Sequence, residues 1–129
     1  MLVIEFLNKK LHKNKEYTQL QQSVFKECYR FLYYFILRHE SNIMELTRRK
    51  YVRMFLSHLE LPFLRFEIIK LLTELVEDNE EAANMVKQEN VIQIVQYMTE
   101  CEIDDTIMID YIQFLKMLIE TDVGVNKDR

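Results

Sequence analysis

The fold of this chain is decided by residues 17–38, whose sequence is YTQLQQSVFKECYRFLYYFILR. Apolar residues recur in this stretch every three or four positions, which is the spacing that places side chains on one face of an α-helix. We therefore predict a long amphipathic helix here. The residues that follow this spacing are Leu20, Val24, Phe25, Cys28, Phe31, Leu32, Phe35 and Ile36.

The composition of the whole sequence points to the same class of fold. Its 129 residues include one glycine and one proline, whereas compact β folds and nucleotide-binding α/β folds need glycines at their turns. Hydrophobic residues make up 49% of the chain, and its length suits one domain with a real core. An all-α fold is therefore predicted.

Charge and cysteine content exclude several classes of function. The net charge of −4 argues against nucleic acid as the main partner. Cys28 and Cys101 lie too far apart for a metal finger or a disulfide framework, so a reduced intracellular setting is expected. The longest apolar run is residues 31–37, and a membrane span needs about 20 such residues. We expect no membrane insertion by this segment.

Shorter helices are predicted before and after residues 17–38. Residues 1–15 are expected to form a short N-terminal helix and a basic linker, and residues 16–129 a helical repeat domain. Ser41 or Asn42 is predicted to cap the next helix, and a break near Lys50 would divide that helix in two.

Pro62 suits the first turn of a further helix, whose apolar face includes Phe66 and Leu72. Asn79 is predicted to cap a short helix, and a helix over residues 91–98 follows it. The last helix is predicted to begin at a cap on Asp104 or Asp105 and to end at Gly124. Its inward face is predicted to contain Ile107, Tyr111, Phe114, Leu115, Leu118 and Ile119.

These helices form a repeat when the sequence is laid on itself. A shift of 39 positions aligns Leu46 with Met85, and a further shift of 43 aligns residues 75–76 with residues 118–119. Each unit is a long helix, a polar break, a short helix and a medium helix, with a period like that of armadillo and HEAT repeats. We predict a helical solenoid of about two and a half repeats; the alternative is an irregular bundle with accidental self-similarity. An apolar patch at one end would indicate a neighbouring repeat.

The sequence contains no catalytic signature. His12, His39 and His58 are far apart, and none belongs to a metal-ligand pair. Cys28 is expected in the core, and the thiolate of Cys101 is disfavoured by its acidic neighbours. We therefore predict no catalytic residue, no cofactor and no metal site, and we expect that the protein is not an enzyme.

One basic cluster is a candidate surface for an anion or an acidic partner. Arginine offers bidentate donors to such groups. The alternative is a solvated helix face whose charge is balanced by Glu40 and Glu45. The cluster consists of Arg48, Arg49, Lys50 and Arg53.

Three stretches of the sequence resemble the RIH domain, the helical module shared by inositol trisphosphate receptors and ryanodine receptors. Residues 28–42 are similar to the family's helix that ends in a leucine-arginine-histidine corner, here Leu37, Arg38 and His39. Residues 75–97, LVEDNEEAANMVKQENVIQIVQY, resemble its short-helix and medium-helix pair. Residues 102–118, EIDDTIMIDYIQFLKML, resemble a later segment of the family.

The resemblance implies a noncatalytic helical-solenoid segment of an intracellular calcium-release channel, acting as a scaffold or a conformational relay. It implies a cytoplasmic location on the cytosolic face of the endoplasmic reticulum, with neighbouring helical repeats or other protein domains as partners. A free-standing armadillo-like adaptor that binds a protein partner is the alternative.

Binding of inositol phosphate is not supported by the residues at the matching positions. After the corner, where those receptors carry a tyrosine and basic residues, this chain has Met44, Glu45 and Leu46. Glu80 and Asn84 also stand where basic residues are expected, and Lys87 alone has a charge of the right sign.

Overall fold

The computed structural model describes residues 1–127, with side chains described through Thr121, and this part of the chain forms helices without strands. The predicted all-α class is confirmed. A one-turn 3-10 helix, Pro62–Leu64, precedes the fifth α-helix, so Pro62 begins a helical turn as predicted. The α-helices are α1 (Leu2–Lys10), α2 (Gln19–Ile36), α3 (Glu40–Arg48), α4 (Val52–His58), α5 (Arg65–Val76), α6 (Glu80–Asn84), α7 (Gln88–Thr99) and α8 (Thr106–Lys127).

The long helices form one layer, in which α5 lies between α2 and α8. The shorter helices form a second layer: α3 packs on α2, α4 and α6 pack on α5, and α6 and α7 pack on α8. One unit is therefore α2 to α4, the next is α5 to α7, and α8 begins a third. This is the predicted stack of about two and a half helical repeats.

The corner after each long helix has the same backbone geometry in both units. Arg38 and Asp78 are left-handed, with φ of 55° and 51°. The residues that follow them, His39 and Asn79, have φ and ψ of −128° and 91° and of −131° and 88°. The units therefore match at a shift of 40 here. The predicted shift of 39 is wrong at the corner. It holds in the last helix of each unit, α4 and α7, because the second unit has one residue fewer between its corner and that helix.

The cap predicted for the third helix is wrong. His39 is the N-cap of α3, and its Nδ1 accepts the backbone N–H of Asn42 at 3.4 Å. Asn42 lies inside the helix, where its side-chain amide donates to the carbonyl of Phe35 at 2.7 Å. The caps predicted for α6 and α8 are confirmed: Asn79 Oδ1 accepts from Ala82 N–H at 3.3 Å, and Asp105 Oδ1 accepts from Ile107 N–H at 3.4 Å.

Several apolar residues predicted on inward faces are exposed. Leu20, Val24 and Phe31 lie on the outer side of α2, and Phe66 is exposed on α5. The side of α2 that enters the core instead contains Tyr29, which is fully buried. The periodicity of α2 therefore combines two apolar faces of one helix.

The last helix also differs from its prediction. Ile119 is 63% exposed and Leu115 is half-buried, whereas Tyr111, Phe114 and Leu118 are buried as predicted. The helix continues through Gly124 to Lys127, so the predicted end is wrong. A glycine inside a helix lowers stability by about 1 kcal/mol relative to alanine, which does not by itself end the helix.

The N-terminal helix shares the core of the repeats. Ile4, Leu7 and Leu11 are buried in the same hydrophobic cluster as α2 and α5. The hydroxyl of Tyr17 accepts the backbone N–H of His12 at 2.7 Å, which closes the loop between α1 and α2. The division at residues 1–15 stays a prediction.

Candidate functional site

A groove runs along the outer surface of the long-helix layer, where α2 meets α5. It contains a cavity of about 100 Å³. Tyr34 is 70% exposed at its edge. The residues that line the cavity are Arg30, Tyr33, Tyr34, Phe66, Glu67 and Lys70.

An ion pair joins the two helices at this groove. Arg30 Nη2 on α2 lies 3.3 Å from Glu67 Oε1 on α5. The Glu67 side chain is 7% exposed, so loss of Arg30 would leave a buried carboxylate without a cation. Arg30 also bonds Glu27, one turn earlier on its own helix.

Lys70 is the second cation of the groove, and its ammonium group lies over aromatic rings of α2 and α5. Its Nζ lies 5.3 Å from the ring centroids of Tyr33 on α2 and Phe66 on α5. Burial raises the pKa of Asp110 on α8, and the charge of Lys70 opposes that shift. Cation–π contacts thus place the charge of Lys70 between α2 and α5.

The groove presents aromatic and charged side chains to the solvent. Burial raises the pKa of Tyr33, and nearby Glu74 and Tyr34 add to the shift, so Tyr33 is protonated at neutral pH and can donate a hydrogen bond. Burial also raises the pKa of Glu74. Sequence reasoning missed this groove, because its residues come from two helices that the repeat brings together.

Two arginines of the predicted basic cluster are paired with one acidic residue. Arg49 Nε lies 2.7 Å from Glu45 Oε1, and Arg48 Nη1 lies 3.8 Å from Glu45 Oε2. The hydrogen bond and charge of Arg49 lower the pKa of Glu45, and Glu45 in turn raises the pKa of Arg49. Lys50 occupies the left-handed turn between α3 and α4, with φ of 60°.

Arg53 follows that turn on α4, where its backbone N–H donates to the carbonyl of Lys50 at 3.4 Å, and it also lines a groove between α4 and α7. This groove has a volume of about 490 Å³. Its charged residues are of both signs, and Lys13 and Glu60 form an ion pair of 3.5 Å there. The role of the cluster in binding stays a prediction. The charged residues that line the groove are Lys13, Arg53, Glu60, Lys87 and Glu89.

A buried polar pair connects α2, in the layer of long helices, to α4, in the second layer. The hydroxyl of Tyr29 on α2 lies 2.5 Å from Nδ1 of His58 on α4. Burial lowers the pKa of His58 to about 4, and the charge of Lys13 adds to the shift. Burial raises the pKa of Tyr29 well above its ordinary value. His58 is therefore neutral at physiological pH.

The two cysteines are half-buried thiols. Burial raises the pKa of Cys28, and Glu27 adds to the shift. Burial and the charge of Asp105 raise the pKa of Cys101. Both shifts disfavour the thiolate, which is the reactive form.

Residues 1–127 contain neither a metal-binding cluster nor a membrane-spanning helix. Among residues 1–127, no group of three or more histidine, cysteine or acidic side chains is arranged to hold a metal ion. Within the same part of the chain, no helix has both the length and the apolar character that crossing a membrane requires.

Comparison with known protein families gives one result. A family model described as the RIH domain matches residues 2–127. No curated protein and no solved structure matches the chain. The matched region includes α1 as well as both helical units.

Proposed function

Because the chain belongs to the RIH-domain family, we propose that it is a noncatalytic segment of a calcium-release channel, acting as a scaffold or conformational relay. The observation that carries this proposal is the unbroken layer of long helices, in which α5 packs against both α2 and α8. Its partners are neighbouring helical repeats or other protein domains. Its location is the cytosolic face of the endoplasmic reticulum.

The packing of α5 supports a relay role. Ile68, Leu71 and Leu75 on this helix are fully buried, so a displacement of α2 acts on side chains that have no free space around them. Packed cores move between discrete arrangements and do not deform continuously. A shift at one end of the layer is therefore passed to α8.

Calcium release from the endoplasmic reticulum tests the proposal. Cells depleted of the chain are expected to release stored calcium more slowly after stimulation, and the wild-type chain is expected to restore the rate. Unchanged release after complete depletion would contradict the channel role.

Two charge reversals sharpen this test. Arg30→Glu places a negative charge against Glu67 between two long helices, so this variant is expected to restore release poorly. Lys9→Glu reverses an exposed charge on α1, outside both the α2–α5 contact and the basic cluster, and it is expected to restore release fully. Equal rescue by the two variants would exclude a relay through the α2–α5 contact.

A second candidate function is a free-standing adaptor, which the groove between α2 and α5 favours. An exposed tyrosine beside two cations is a common feature of surfaces that bind peptides. Peptides selected against the wild-type chain are expected to lose binding to Tyr34→Ala and to keep binding to Tyr51→Ala. Equal binding to both variants would exclude the groove as an adaptor site.

A further inference from the structure

The three long helices carry matching side chains at matching positions. Adding 40 to the number of a residue in α2 gives the matching residue in α5, because the corners at Arg38 and Asp78 have the same backbone angles. Adding 43 to a number in α5 gives the position in α8, because the buried faces then coincide. We call the resulting set the upstream face of each helix: Val24, Cys28, Phe31 and Phe35; Leu64, Ile68, Leu71 and Leu75; Ile107, Tyr111, Phe114 and Leu118.

In α5 and α8 the upstream face is covered by the preceding unit. In α5 and the 3-10 turn before it, which contains Leu64, this face packs against α2 and α4, and all four of its residues are 0% exposed. In α8 it packs against α5, α6 and α7, where Tyr111, Phe114 and Leu118 are buried and Ile107 is half-buried. The upstream face is thus the surface by which each unit packs on the one before it.

In α2 the same face is apolar, and it is covered only in part, by α1. Phe31 is 48% exposed and Val24 is 44% exposed, whereas Cys28 and Phe35 are half-buried. The rings of Phe31 and Phe35 are stacked, with centroids 6.1 Å apart. Val3 on α1 forms the far wall of a shallow groove of about 450 Å³ over this face.

Each upstream face also carries one acidic residue. Glu67 on α5 pairs with Arg30 of the preceding helix, and Asp110 on α8 lies within the field of Lys70 of the preceding helix. Arg30 and Lys70 occupy matching positions. Glu27 is the acidic residue at this position in α2. It shares Arg30 of its own helix with Glu67, and its side chain is 67% exposed, so the two carboxylates have one cation between them.

We infer that the upstream face of α2 is the docking site for an amphipathic helix that carries a basic residue opposite Glu27. The occupant is a helix of the kind that α2 itself presents to α5, with apolar residues beside an arginine or lysine. Charge complementarity and the match of this face to the covered faces of α5 and α8 support that choice. The inference deepens the proposed function, since it gives a neighbouring helical partner its place and its chemistry.

The same comparison argues against a second copy as the occupant. A second copy stacked end to end would present α8 to this face. Gln113 stands in α8 at the position of Arg30 and Lys70, so α8 has no cation there to pair with Glu27. The occupant is therefore not α8 of a second copy but a helix that has a cation at this position.

Fluorescence anisotropy with a labelled peptide of residues 19–36 tests the inference. This peptide has the sequence of α2, and its Arg30 provides the cation. The wild-type chain is expected to bind the peptide. Glu27→Arg and Phe31→Glu are each expected to weaken binding by more than about tenfold, through charge repulsion and through a charge placed on the apolar face. A peptide with Arg30→Glu is expected to bind Glu27→Arg better than wild type.

A charge reversal away from the docking face and a test of folding serve as controls. Glu81→Arg reverses an exposed charge on α6 and is expected to leave binding unchanged. Circular dichroism melting verifies that each variant is folded, as expected for substitutions at exposed positions. No binding by the wild-type chain, or equal binding by wild type and Glu27→Arg, would overturn the inference. Calcium release is measured in a separate experiment. Unchanged calcium release would contradict the channel role and leave the docking site intact, whereas loss of peptide binding alone would contradict the docking site.

Discussion

At the scale of single residues, His58 shows what a sequence conceals. The sequence predicts no metal-ligand role for it and gives no sign that it faces a tyrosine hydroxyl 29 positions away. Tyr29 follows the spacing of the inward face of α2, yet a tyrosine inside an apolar run gives no indication of a buried partner. The pairing arises from the packing of α2 on the outer layer, which no local pattern encodes.

His58 is expected to make stability depend on pH. Its pKa is about 4 in the folded chain and about 6.5 in the unfolded chain, so the unfolded chain takes up the extra proton between these values. The free energy of unfolding is therefore expected to fall by up to about 3 kcal/mol as the pH drops from 6.5 to 4. Urea denaturation across this range measures the change.

Two variants isolate the contribution of His58. His58→Gln is expected to flatten the pH dependence, because the titrating group is gone. His12→Gln replaces an exposed histidine and is expected to keep the full dependence. If His58→Gln retained the wild-type slope, the buried imidazole would not be its source.

At the scale of helices and corners, sequence patterns predicted much of the structure and failed where two surfaces share one helix. The break near Lys50 and the caps at Asn79 and Asp105 follow from local chemistry and are confirmed. The cap of α3 was missed because Ser41 and Asn42 are stronger cap formers than His39, which the corner places at that position. The exposed side of α2 was missed because periodicity shows that a face is apolar and does not show what covers it.

The left-handed corners are expected to tolerate glycine. Arg38→Gly removes the unfavourable contact of its Cβ in a left-handed conformation, so the free energy of unfolding should rise by up to about 1 kcal/mol. Asp78→Gly should have a smaller effect, since aspartate visits this conformation more readily. Glu77→Gly, at a residue with φ of −61°, is expected to lower stability. Urea denaturation midpoints that ranked Glu77→Gly above Arg38→Gly would contradict the corner geometry.

Two leucines on the long helices differ in burial and are therefore expected to differ in their contribution to stability. The sequence places Leu72 and Leu115 on inward faces, and the structure buries Leu72 fully and Leu115 only in part. Leu72→Ala is expected to lower the free energy of unfolding by roughly 2–5 kcal/mol, and Leu115→Ala by roughly 1 kcal/mol. Thermal or urea unfolding measures both, and equal losses would show that α8 is packed differently.

At the scale of the whole molecule, the pair Arg30–Glu67 couples one helical unit to the next. A double-mutant cycle with Arg30→Gln and Glu67→Gln is expected to give a coupling energy of about 1 kcal/mol, because one partner is buried. The pair Lys13–Glu60 is the control: its side chains are 44% and 45% exposed, so a coupling near zero is expected. A larger coupling for the exposed pair would contradict the assigned burial.

The stacking order of the long helices underlies both the relay and the docking face. The sequence repeat predicted this order but left an irregular bundle as the alternative, since self-similarity alone does not say which helices touch. The contacts of α5 with both α2 and α8 settle the order in the described residues. An open layer leaves the upstream face of α2 available, whereas a closed bundle would cover it with α8.

The distance between α2 and α8 tests the account most directly. Spin labels at Tyr34→Cys on α2 and Lys116→Cys on α8, in a chain with Cys28→Ser and Cys101→Ser, report this distance by pulsed electron paramagnetic resonance. Both positions are exposed. With α5 between them, the helix axes are expected to be two packing distances apart, about 16–20 Å. A distribution consistent with a single packing distance of about 8–10 Å would contradict the open layer, and with it the relay and the docking face.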